Sequence, residues 1–135
     1  MRDIVDHIIR QSSFEVSLTA DDAPGPGGAN HLYTIRGFSS ASNPSDPLVA
    51  RHGSPSTYST VLFQNGAILE TGANGVTNEV LLAVVMDRLR GFQSGEFTCC
   101  RENALALTNI ETGLHWLQQR TIERLRRGVE GMSRP

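Results

Sequence analysis

The stretch CRENALALTNIETGLHWLQQRTIERLRR, residues 100–127, carries in its last third Arg120, Arg124, Arg126 and Arg127 against a single acid, Glu123. Guanidinium groups are planar forks of donors that keep their charge at any physiological pH, so they suit phosphate. Arg120 and Arg124 are four residues apart and share a helical face. Trp116 lies one turn earlier on that line and Arg127 one turn later. Two guanidiniums so arranged fit a pyrophosphate. The alternative is plainer: the C-terminal end of a helix dipole favours cations, and the arginines are then simply solvated there.

Other residues carry a similar choice. Phe92 and Phe97 flank a short turn and are either core plugs or stacking platforms for a base. Asn103 either caps and solvates the start of a helix or pairs with the N6 and N7 edge of an adenine. Ala104 and Thr108 are small residues four apart, where another backbone or a ligand can come close. A helix contact between subunits uses the same feature.

Catalytic patterns are sparse. No Ser-His-Asp or Cys-His spacing stands out. The GPGG run lacks the Lys-Ser/Thr of a phosphate-binding loop. His7, His31, His52 and His115 are scattered, and Cys99 and Cys100 are adjacent, so neither a metal set nor a disulfide is expected. The thiols are read as reduced. No cofactor is implied. The net charge of −2 and pI near 6.0 argue against a general nucleic-acid binder, leaving anion binding to a local cluster. The N-terminal MRDIVDHIIRQSS carries acids within its apolar run and is not read as a signal peptide. No stretch reaches the roughly 20 apolar residues of a membrane span.

The elements that must position these residues follow from periodicity. A length of 135 residues predicts one domain. Ile4, Val5, Ile8 and Ile9 predict a short amphipathic helix over 2–10. FEVSL at 14–18 and HLYTIRGF at 31–38 predict strands, separated by the loop ADDAPGPGGAN. Residues 39–56 read as a long loop. TYSTVLFQNGAILETG predicts a β-hairpin turning at Asn65-Gly66. Then the period changes. Thr77 caps a helix running to about Gly91, with Leu81, Leu82, Val84, Val85 and Leu89 on its apolar face. Thr98 is expected to cap a second helix, with Leu107, Ile110, Leu114, Leu117 and Thr121 as its stripe. The predicted class is α+β: a small N-terminal antiparallel sheet, with a short helix, over 1–72, followed by an antiparallel helical hairpin over 73–131. Part of so long a stripe is expected to meet another copy of the chain.

The ordered motifs NGVTNE, FQSG, CRENALALT and RTxxRxxRGVEG within residues 60–131 resemble the phage Thoeris anti-defence protein one family. The helical hairpin is similar to that of the anti-CBASS protein two family. The resemblance implies a non-enzymatic sponge in the host cytoplasm, which holds cyclic ADP-ribose isomers made by bacterial immune systems and leaves them intact. It further implies a homo-oligomer, dimer or hexamer, with cyclic trinucleotides held at separate sites. Carried onto this chain, Arg120 and Arg124 clamp the pyrophosphate, Phe92 stacks on adenine, and Asn103 contacts base or ribose. Ala104 and Thr108 mark the trinucleotide site. The loop EFTCCREN departs from the pattern by one added residue between Phe97 and Arg101. The competing readings are a hydrolase of the same nucleotides and a structural or nucleic-acid-associated phage protein.

Overall fold

A computed structural model describes residues 1–10 and 16–133. The chain forms two compact units, Met1–Phe63 and Gln64–Pro135. The boundary falls ahead of the 72/73 division read from the sequence, because Gln64–Thr71 folds with the helices.

The first unit is a four-stranded antiparallel sheet in chain order: β1 (Arg2–Ile4), β2 (Ser17–Ala20), β3 (Leu32–Arg36) and β4 (Tyr58–Leu62). Alternation sorts its side chains. Ile4 faces Leu18, and Leu18 faces Ile35, forming one apolar row across three strands. The opposed pair Thr19 and Thr34 is buried, and both hydroxyls donate to the carboxylate of Asp21. Asp22 closes the loop between β2 and β3 by accepting from the backbone N–H groups of His31 and Leu32 at 3.0 Å. Tyr33 meets Phe63 edge to face at 5.6 Å.

The expected helix over residues 2–10 is not formed; β1 lies there instead. A nine-residue helix is too short to hold itself together in water. The β-branched Ile4 and the open edge of β2 offer its backbone a ladder at once. The strand read at 14–18 begins at Ser17, and Phe14 and Glu15 lie outside the described residues. The 39–56 loop contains a short helix, α1 (Pro47–His52). Asp46 caps it and ties the loop together, accepting from the Leu48 N–H and from the hydroxyls of Ser40 and Ser56.

The second unit contains α2 (Ile68–Thr71), α3 (Asn78–Ser94) and α4 (Arg101–Arg126), the last two packed as a hairpin. The β-hairpin expected at Asn65-Gly66 is absent. Gly66 does take a positive φ of 90°, but the chain then enters α2. Ala67, Leu69 and Glu70 favour helix. The amides of Gln64 and Asn74 satisfy the loop backbone that a second strand would have paired. The Thr77 hydroxyl accepts from the Val80 N–H, as its cap position predicts. Met86 is buried, and Leu81, Leu82 and Leu89 are half-buried. On α4 the half-buried row is Leu107, Ile110, Leu114, Leu117 and Thr121, the predicted stripe.

Candidate functional site

The C-terminal end of α4 is built by Gly128. It adopts φ 70°, donates to the carbonyl of Leu125, and lets Val129 donate to the carbonyl of Arg124. This is the Schellman closure, which requires the left-handed residue that glycine supplies. The turn sends residues 128–133 back across the helix end. Arg124 is the anchor of that return. Its guanidinium is buried and donates to the Val129 carbonyl at 2.9 Å, the Met132 carbonyl at 2.7 Å and the Glu130 carboxylate at 3.1 Å. The strap is further held by the Leu69 N–H donating to Gly131 at 3.0 Å and by the Ser133 hydroxyl on Glu70.

Arg120 lies one turn earlier and is disposed differently. It is exposed and, among the described residues, has no hydrogen-bond or ion-pair partner. It lines an open concavity of about 610 Å³ with Thr77, Glu79, Gln118, Thr121, Ile122 and Glu130. The concavity therefore sits where the start of α3 meets the end of α4. Arg126 turns away into an exposed pair with Glu123 at 2.9 Å. The four arginines thus have separate surroundings. Arg124 braces the strap, Arg120 faces a cavity, and Arg126 is a surface pair. Arg127 is the terminal cap of α4.

The opposite end of the hairpin holds the other predicted residues. Phe92, in the last turn of α3, is part-exposed, and the Arg88 guanidinium lies 5.4 Å from its ring centre. Thr98 does not cap α4 as expected. Its hydroxyl donates to the Phe92 carbonyl at 2.7 Å and closes the end of α3. Cys100 is the cap of α4 instead, with its sulfur accepting from the Asn103 N–H at 3.4 Å. The Asn103 side chain donates to the Thr98 carbonyl at 3.3 Å. Phe92 and Asn103 are thereby coupled through Thr98. Ala104 is half-buried and Thr108 exposed, one turn apart.

Phe92 and Asn103 come together at one end of the hairpin; Arg120 and Arg124 lie one turn apart at the other, where Arg120 lines the concavity and Arg124 holds the strap, and the two ends do not meet. Seventeen residues of helix separate Asn103 from Arg120, about 25 Å at 1.5 Å per residue. Thr77, Glu79 and Glu130 line the concavity without having been singled out for it by the sequence. The signal for Glu130 was the RRGVEG run, where a glycine after a helix sends an acid back toward arginines.

Residues 58–121 match the family described as the Acb2/Tad1 hairpin domain. That span contains Phe92, Asn103 and Arg120 and ends before Arg124. The chain is 58% identical over 72 residues to "Thoeris anti-defense 1" of Bacillus phage SBSphiJ7, covering 53% of this chain and 50% of that relative. It thus matches about half the length of the curated relative. Through its helical hairpin, with β4 at the start of the matched span, residues 58–121 of the chain are similar to the Acb2/Tad1 hairpin-domain family.

Proposed function

We propose that the chain is a phage anti-defence protein that binds a cyclic ADP-ribose isomer in the host cytoplasm and sequesters it uncleaved. The observation that carries the reading is Arg120. It is an exposed arginine without a partner among the described residues, lining a concavity in the hairpin shared with a Thoeris anti-defence relative. A free guanidinium beside the hydroxyls of Thr77 and Thr121 and the amide of Gln118 suits a pyrophosphate and its ribose. Phe92 offers a ring face for adenine and Asn103 a polar edge.

The 25 Å between the two ends exceeds the span of one such ligand. In this reading Phe92 and Asn103 of one copy meet Arg120 of a second, and the protein works as a homo-oligomer. Exposed Val80, Val84 and Trp116 on the hairpin supply apolar surface for that assembly. Ala104 and Thr108 remain the proposed contacts for a cyclic trinucleotide.

Calorimetric titration with cyclic ADP-ribose isomers, followed by denaturation and analysis of the released compound, tests the proposal. Capture of nanomolar signal needs a binding free energy of about −12 kcal/mol. Arg120→Ala should weaken binding by about 2 kcal/mol or more, the worth of a charge-assisted contact. Unchanged affinity in that variant overturns the assignment. Glu79 and Glu130 also line the concavity and favour the hydrolase as a second reading, since a carboxylate can serve as a general base. Release of an opened nucleotide would establish that reading in place of the first.

A further inference from the structure

We propose that Glu130 is a built-in competitor for the anion site: its carboxylate occupies Arg124 and must be displaced before a ligand phosphate can use that guanidinium. The inference rests on the reading of the Arg120 concavity as a pyrophosphate site.

Glu130 belongs to both features at once. It lines the concavity with Arg120, and it accepts from Arg124 Nε at 3.1 Å. The side chain of Glu130 is 35% exposed, whereas that of Arg124 is 9% exposed. An anion in the cavity therefore reaches the carboxylate before it reaches the arginine. Arg124 also donates to the carbonyls of Val129 and Met132, which are neutral and belong to the strap backbone. That backbone is pinned separately by Leu69 and Gly131. Gly131 has φ 79°, and a Cβ there would meet the Leu69 side chain at 2.8 Å, so the pinning is close-fitting. Glu130 can swing out while the strap stays in place and Arg124 stays oriented.

The charge balance sets a threshold. With Glu130 on Arg124 those two charges offset each other, and the cavity presents Arg120 against Glu79. A monoanion gains one arginine and lacks the charge to take the place of Glu130 as well. A pyrophosphate carries enough charge to hold Arg120 and to replace Glu130 on Arg124 together. Glu130 is then a specificity-determining residue that favours multiply charged ligands.

The test is titration of the wild-type chain and Glu130→Gln with inorganic pyrophosphate and with acetate. Glu130→Gln should bind pyrophosphate roughly tenfold more tightly, about the worth of one charge-assisted hydrogen bond, and should lose discrimination against acetate. Glu130→Asp, which shortens the reach to Arg124, should shift the same way and covers the case in which the amide disturbs the strap. Equal or weaker pyrophosphate binding in both variants overturns the proposal, as does pyrophosphate binding by none of the three proteins. Cyclic ADP-ribose isomers separate the two claims. If they bind the wild type and neither variant tightens pyrophosphate, the sponge stands and the competitor fails. If both variants tighten pyrophosphate but no isomer binds any protein, the competitor stands and the sponge reading fails.

Discussion

Replacing Arg124 by alanine should cost far more stability than replacing Arg120, although the two lie one turn apart on the same helix. Arg124 makes at least three contacts with the strap, two to backbone carbonyls and one to Glu130. Each is worth about 1 kcal/mol net, and somewhat more where the donor is charged and buried. The Glu130 contact is discounted, because a third of that carboxylate faces water and rehydrates when the arginine is removed. The sum is about 3 kcal/mol. An unfolding entropy near 2.1 cal/mol/K per residue gives about 0.28 kcal/mol/K over the whole chain, so the melting temperature should fall by about 10 °C. The fall is larger if Gln64–Pro135 melts alone. Arg120 makes no such contact, and Arg120→Ala should stay within about 0.5 kcal/mol of wild type. Scanning calorimetry and urea unfolding, run at matched protein concentration because assembly raises apparent stability, give both numbers. Equal losses in the two variants, or wild-type stability for Arg124→Ala, would refute the division of labour.

Thr77→Ala removes the acceptor for the Val80 N–H and should cost about 1 kcal/mol by urea unfolding, with an unchanged value counting against the cap. At Gly95 an added Cβ would lie 2.2 Å from the Thr98 hydroxyl, so Gly95→Ala should break the Thr98–Phe92 contact. Amide exchange in the inter-helix loop should accelerate, and ligand affinity should fall with it. Acid should weaken the sheet unit. Thr34 and Thr19 hold the Asp21 carboxyl below the ordinary range, the Leu32 and His31 N–H groups do so for Asp22, and Ser40 and the Leu48 N–H do so for Asp46. A carboxyl whose folded pKa is depressed contributes its full stability above the unfolded value, near pH 4, and loses it as pH falls through the folded value. The melting temperature should drop below about pH 4, and less steeply in Asp21→Asn.

The hairpin was legible because its signals are local and agree. Thr77 stands where a cap belongs, the leucines of α3 recur at helical spacing, and Leu107 to Thr121 mark the buried side of α4. Where two local signals competed, the sequence reading chose the wrong one. Ile4, Val5, Ile8 and Ile9 fit a helix by period, but three of the first residues join a strand edge whose position no short window reveals. Asn65-Gly66 supplies the turn conformation of a hairpin, yet Asn65 itself is held by Asn74 and the following Leu69 by Gly131, which is remote in sequence. Thr98 and Cys100 stand two residues apart at a helix start, and the hydroxyl went to the end of the preceding helix. For the site, residue type was readable and disposition was not. Arg120 and Arg124 look equivalent in a spacing argument, and the strap that separates them is set by the turn at Gly128.

That separation bears on how, in the proposed reading, an acidic chain would hold a small polyanion without collecting longer ones. The arginines do not form a continuous basic stripe. Arg126 is neutralised by Glu123, Arg124 by Glu130, and Arg120 faces a concavity edged by Glu79. A nucleic-acid backbone laid along this surface would meet alternating charge and release few counterions, so its affinity would be low and weakly dependent on salt. A compact pyrophosphate needs only one open guanidinium to enter and a second to be exchanged into. Fluorescence titration with duplex DNA in 50 and 200 mM salt should therefore show weak binding and a shallow slope. A steep slope, of the size that many phosphate contacts produce, would return the arginines to the role of a nucleic-acid surface and remove the argument for a small-anion site.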